Sequence, residues 1–212
     1  ASDARICEEI GFDGVEIHGA HGYLIDNFFW NGTNIRNDDY GGSIKNRSRL
    51  AAEIIKAIRS KVSSEFIVGL RFSQWKQQDY AAKLAHNPDE LKDVIKSPVE
   101  EGLDFLHSSM RRFWESEFKE SDENLAYWTK KISGLPTISV GSVGLDSEFI
   151  DMSASASPTN INKVIDDINK EKYDLVAVGR ALLADHEWVL KIKDQRLDEI
   201  NPYTKEALYK LY

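Results

Sequence analysis

Short apolar, β-branched runs alternate along the chain with longer segments whose apolar residues recur every three or four positions. The strand-like runs are Gly14–His18, Phe66–Phe72, Leu103–Ser108, Thr137–Gly141 and Leu175–Gly179. Between them, Arg47–Val62 sets Leu50, Ile54, Ile55 and Ile58 on one helical face, which predicts an amphipathic helix burying that stripe. Gly-Phe-Asp-Gly before the first run and Glu-Gly-Leu-Asp before the third read as helix stop, short loop, strand. This β-then-α rhythm predicts parallel strands covered by helices, the α/β class. Residues 74–90 and 110–126 break the rhythm and are expected to be loops on the C-terminal side of the second and third strands, where α/β barrels carry their active sites. Asp151–Thr159, rich in small residues, is expected to be a flexible loop.

Composition narrows the function. At 212 residues, 42% hydrophobic and 29% charged, the chain supports one sizeable core and is expected to be a single domain over 1–212. No apolar run reaches the roughly 20 residues that span a bilayer, and the first segment lacks the features of a secretion signal, so a cytoplasmic protein without a membrane partner is expected. A net charge of −8, with 27 Lys and Arg scattered among acids, argues against a nucleic-acid surface and for a small-molecule partner. Cys7 is the single cysteine and lies in a charged, helix-like stretch away from any candidate base, so it reads as a plain thiol.

The chemistry concentrates at strand ends. Alternation puts Glu16 and His18 on one face of the first strand and Val15 and Ile17 on the other. His18-Gly19-Ala20-His21-Gly22-Tyr23 then brings two imidazoles and a phenol to the strand's exit, a set able to donate several hydrogen bonds to one oxygen and to supply a proton. A structural histidine or a metal pair is the alternative, although a third ligand is missing. Arg71 ends the second strand on the face of Gly69, a small residue that leaves room beside it, and an arginine there needs an anionic or polar partner, Glu16 being one candidate. Gly141, Ser142 and Val143 follow the fourth strand, and Gly179 and Arg180 the fifth; glycines there either make tight turns or let backbone N–H groups approach a phosphate. Asp38–Arg47 is expected to brace a long loop, with Ser43 near the start of the next helix. Arg111, Arg112 and Trp114 either shape access to a site or simply pack; His86 and His186 read as surface residues and His107 as packed in its strand.

The run GFDGVEIHGAHGYLIDNFF, continued by Asn34, Arg36, Asp38 to Ser43, Asn46 and Arg47, closely resembles the signature of the old yellow enzyme and NADH:flavin oxidoreductase family, and a weaker similarity continues to the end of the chain. The resemblance implies a TIM (β/α)8-barrel fold and an FMN enzyme that uses NADH or NADPH to reduce activated C=C bonds, with enone or nitro substrates. It implies that His18 and His21 hold the substrate oxygen and that Tyr23 is the proton donor. It also implies that Arg71 sits against the flavin pyrimidine, and that Gly141, Ser142, Val143, Gly179 and Arg180 form the FMN phosphate site.

Such a barrel takes about 250 residues. If the two glycine-rich ends follow strands seven and eight, the first strand here is strand four, and strands one to three are expected to be missing. The resulting arc would expose two strand edges and an apolar face. It would be a fragment, one half of a split enzyme closed by a complementing N-terminal half, or a remnant that closes as a homo-oligomer, and it is expected to bind FMN weakly or not at all. Two rival readings are a flavin-free, phosphate-binding lyase or isomerase using Glu16 and His18, and an inactive half-barrel that acts as an interaction module.

Overall fold

The structure, a computed structural model, describes residues 1–148 and 155–209. Helix α1 (Ser2–Glu9) leads into β1 (Gly14–His21); Gly11, at φ +96°, makes the left-handed turn between them. Next come α2 (Leu24–Phe29), α3 (Ile44–Arg59), β2 (Ile67–Lys76), α4 (Pro88–Glu100), β3 (Phe105–Ser109), α5 (Leu125–Ser133), β4 (Thr137–Val140), α6 (Asn162–Asn169), β5 (Leu175–Val176), α7 (Arg180–Ala184) and α8 (Trp188–Lys193). The five strands form one sheet in the order β1-β2-β3-β4-β5, parallel throughout. The α/β architecture expected from the alternation is present, and one continuous core cluster holds it together.

One face of the sheet is packed and the other is open. Ile17, Val68, Leu70, Phe72 and Leu106 are buried together with Ile55 and Ile58 of α3 and Leu91, Val94 and Ile95 of α4. In α3, Ala51 and Ala52 are buried beside Ile55 and Ile58 while Leu50 and Ile54 are half-buried, so the predicted stripe is rotated slightly toward the alanines. On the opposite face Glu16, His18, Gly69, Arg71, Phe105 and His107 lie in register across β1, β2 and β3. Ile67 and Leu175, in that same alternation, are 43% and 58% exposed. Among the described residues β1 pairs only with β2 and β5 only with β4, leaving a free edge at each end of the sheet.

Three local expectations are corrected, and a fourth falls partly outside the described residues. Strand β2 runs on to Lys76, so residues 74–76 belong to the sheet and bring Trp75 to the face of Arg71. Strand β5 stops at Val176; Ala177 N–H still donates to Ser139 O at 2.9 Å, and then the chain leaves a sheet that offers it no second neighbour. Gly69 makes room for Phe105 rather than for Arg71, because a Cβ there would lie 2.0 Å from the Phe105 ring. Of the expected loop Asp151–Thr159, residues 151–154 lie outside the described part, while Ala156 exchanges backbone hydrogen bonds with Tyr203 and Thr159 N–H donates to Gly144 O. The Asp38–Arg47 segment braces as expected: Ser43 Oγ caps α3 by accepting from Asn46 N–H at 3.2 Å, and the buried Arg47 donates from Nε to Phe29 O at 2.7 Å.

Among the described residues no helix is long and apolar enough to cross a membrane. Cys7 is a half-buried free thiol, His86 and His186 are exposed, and His107 is buried.

Candidate active site

The end of β1 is held in an unusual backbone path. His21 has φ +63° and Gly22 φ +82°, so two successive left-handed residues swing the chain out of the strand toward Tyr23, the residue before α2. A side chain at φ > 0 costs free energy unless neighbours hold it, and here several do. His21 N–H donates to Ser73 Oγ at 2.9 Å, and Gly22 N–H donates to Asp26 Oδ2 at 2.7 Å. Asp26 Oδ1 accepts from Lys76 Nζ at 2.7 Å, and Nζ also donates to Ser73 O at 2.9 Å. Both charged side chains of this pair are 0% exposed. Burial pushes the Asp26 carboxyl up and the Lys76 ammonium down, and their mutual contact opposes both effects.

The turn gathers three rings. His18 lies 5.3 Å from His21 and 5.2 Å from Tyr23, centroid to centroid, and Tyr23 is 55% exposed. His21 stacks on Trp75 at 4.4 Å with 22° between the planes. Burial first, and the Arg71 guanidinium second, hold His18 below its ordinary value and drive His21 down to about 3. His21 is therefore a neutral imidazole across the physiological range, with one N–H to donate and one lone pair to accept.

The neutrality of His21 sets the sign of a pH effect. As the pH falls, the unfolded chain takes up a proton on this residue around 6.5, whereas the folded chain does so only around 3. Folding stability therefore falls as the pH is lowered between those values, and urea midpoints followed over that interval should show a shallower fall in His21→Asn than in the parent.

Seven of the nine residues singled out in the sequence line one cleft: His21, Arg71, Gly141, Ser142, Val143, Gly179 and Arg180. The remaining two, His18 and Tyr23, make ring contacts at its rim through His18. The cleft has a volume of about 230 Å³.

Arg71 does not pair with Glu16. Its Nη2 donates to Ser109 Oγ at 3.1 Å, and its Nε is buried without a partner. Glu16 instead accepts from His107 Nδ1 at 2.7 Å, leaving His107 Nε2 buried and unpartnered. The Glu16 carboxylate is thus committed to His107 rather than shared with His18 as an acid–base pair.

At the glycine-rich ends the individual roles differ. A Cβ on Gly141 would lie 2.9 Å from Met110 O, so this glycine is required by the close passage of the β3 loop. Gly179 has nothing within 4 Å of that position and leaves open space beside the backbone. Ser142, at φ +53°, donates to Arg111 O at 3.0 Å and accepts from Arg180 Nη2 at 3.0 Å; Val143 is buried in the core. Arg180 Nη2 also donates to Ser147 O, and its guanidinium lies 5.4 Å from the Tyr203 ring. Arg111 and Arg112 both pair with Glu148, at 2.8 and 2.6 Å, and Arg111 lies over Tyr80 at 4.1 Å, so they pack and at the same time wall a neighbouring cleft with Trp75. No group of three His, Cys, Asp or Glu able to hold a metal occurs among the described residues.

The donor set suits FMN. Arg71 Nε is a buried donor awaiting an acceptor, which the pyrimidine edge of a flavin offers. The open space at Gly179 and the guanidinium of Arg180 suit a phosphate at the other end of the cleft.

Comparison with known proteins gives the same answer. The sequence profile of the NADH:flavin oxidoreductase / NADH oxidase family matches residues 1–199. An NADH oxidase of Thermoanaerobacter brockii is 36% identical over 197 residues, covering 89% of this chain and 27% of that protein. An NADPH dehydrogenase of Clostridium acetobutylicum is 31% identical over 208 residues, covering 95% and 56%. A cinnamate reductase of Clostridium sporogenes is 31% identical over 219 residues, covering 94% and 30%. The chain thus spans between about a quarter and just over half the length of these relatives. It belongs to the NADH:flavin oxidoreductase / NADH oxidase family, the old yellow enzyme class.

Proposed function

We propose that this chain supplies the substrate clamp, the proton donor and one side of the FMN site of a reductase that saturates activated C=C bonds, of enone or nitroalkene type, at the expense of NADH or NADPH. The observation that carries this reading is the convergence of His21, Arg71, Gly141, Ser142, Gly179 and Arg180 on one cleft, with His18 and Tyr23 at its rim.

Bound FMN supplies the hydride for the substrate's β-carbon. The residues of this chain do the rest. His18 and His21, both disfavoured as cations by burial, donate N–H to the carbonyl or nitro oxygen and draw electron density from the double bond without giving up a proton. Tyr23 Oη donates its proton to the α-carbon, and its exposure lets solvent restore it. Arg71 would hold the flavin by its pyrimidine edge and offset negative charge there, and Arg180 with the open backbone at Gly179 would hold the phosphate.

On this reading the five strands are strands four to eight of a (β/α)8 barrel. The free edges of β1 and β5 are then where the remaining strands of such a barrel would pair. The half-open cleft makes FMN binding weaker than in a closed barrel.

The test is product analysis with 2-cyclohexenone, FMN and NADH or NADPH. FMN-dependent formation of cyclohexanone, matched mole for mole by nicotinamide oxidation, is expected. Nicotinamide oxidation that goes entirely to oxygen, with the enone recovered unchanged, would contradict the proposal.

A further inference from the structure

Ser109, the last residue of β3, stands between two residues that the proposed chemistry uses. Its Oγ lies 3.1 Å from Arg71 Nη2 and 2.7 Å from His21 Nε2, and its carbonyl oxygen accepts from Trp75 Nε1 at 3.1 Å. We infer that Ser109 is a positioning residue: its hydroxyl donates to His21 Nε2 and so holds His21 in the tautomer with the proton on Nδ1, the donor offered to a substrate oxygen. This deepens, and rests on, the reading of His21 as part of the oxygen clamp.

Proton counting leads to this assignment. A guanidinium has donors and no acceptor, so Ser109 Oγ must be the acceptor from Arg71. The serine is 2% exposed, and Arg71 and His21 are the partners of its Oγ among the described residues. One hydroxyl proton remains to be placed, and His21 Nε2 is the acceptor within reach. Were Nε2 protonated, it would point a second donor at the same oxygen and leave a buried O–H with no acceptor, an arrangement native structures avoid.

The same serine steadies the ring from below. The indole that His21 stacks on is the one whose N–H donates to the Ser109 carbonyl, and the His21 backbone is fixed by Ser73. Nδ1 makes no hydrogen bond among the described residues, so it is the nitrogen left for a ligand. Arg71, Ser109 and His21 thereby form a short chain running from the residue placed against the cofactor to the residue placed against the substrate.

The test is a long-range ¹H–¹⁵N spectrum of the histidine rings of the ¹⁵N-labelled 212-residue chain at neutral pH without added flavin, with His21 assigned by its loss in His21→Asn. The expected pattern is a neutral ring with Nδ1 protonated and Nε2 bare. Ser109→Ala is expected to shift the population toward the Nε2-protonated form that free imidazole side chains prefer, and Ser109→Thr, which keeps the hydroxyl, to restore the parent pattern. A wild-type ring protonated on Nε2, or a Ser109→Ala ring unchanged from the parent, would overturn the inference. Because flavin is absent, this outcome does not depend on whether the chain binds FMN: a wrong tautomer removes the role of Ser109 and leaves the reductase proposal standing, and failure to bind FMN does the converse.

Discussion

Lys76→Met is expected to cost about 3–5 kcal/mol of folding stability, the usual penalty for stripping one partner from a buried ion pair. The magnitude follows from the surroundings. Lys76 and Asp26 are both 0% exposed, so removal of the ammonium leaves a carboxylate whose remaining partner among the described residues is the Gly22 N–H. Against a typical total of about 5–15 kcal/mol, such a loss removes a large share of the stability. Two further effects identify the cause. The double variant Asp26→Asn, Lys76→Met, with no charge left to strand, should recover most of the stability in urea titrations. The single variant should also loosen the left-handed turn at His21 and Gly22, because Lys76 ties Ser73 to Asp26 directly beneath it. Stability of the single variant equal to that of the parent would mean that the pair does not hold the turn.

Tyr23→Phe is expected to have the largest effect on chemistry. Loss of a positioned general acid lowers rates by about 10²–10⁴-fold. Tyr23 lies outside the cleft that holds Arg71 and Arg180, so the loss should fall on one half of turnover. In the FMN-loaded chain, oxidation of NADH or NADPH should proceed at the parent rate, while reoxidation by 2-cyclohexenone slows by that factor. Stopped-flow absorbance separates the two phases. Equal slowing of both would place Tyr23 in cofactor binding, and no slowing of either would remove it from the mechanism.

The legibility of this protein in its sequence was uneven, for physical reasons. The strands and α3 were readable because burial on one face imposes a period of two or of about 3.6 on apolar residues, and Ile17, Val68, Leu70, Ile55 and Ile58 obey it. The cluster of rings at the end of β1 was readable because His18, His21 and Tyr23 are close in sequence as well as in space.

What the sequence hid are partnerships across strands. Asp26 and Lys76 are 50 residues apart, His21 and Ser109 are 88 apart, and Glu16 and His107 are 91 apart; no local pattern joins them. One such placement is written in the alternation. The alternation of β2 continues from Arg71 through Ser73 to Trp75, which already places the indole on the arginine's face. The polar side chains after Phe72 obscured it, because here the strand runs into a site rather than into the core.

The glycines taught a different lesson. Gly69 and Gly141 are demanded by Phe105 and by Met110, neighbours that only the folded structure reveals, whereas Gly179 leaves real space.

The measurement that bears most directly on the central claim is an equilibrium titration of the 212-residue chain with FMN, read by flavin fluorescence and by flavin retained through size exclusion. Saturable binding at one site is predicted. Arg71→Ala and Arg180→Ala should each weaken it by roughly tenfold or more, as expected for the loss of a hydrogen bond to a charged group. Absence of saturable binding, or binding indifferent to both arginines, would contradict the account.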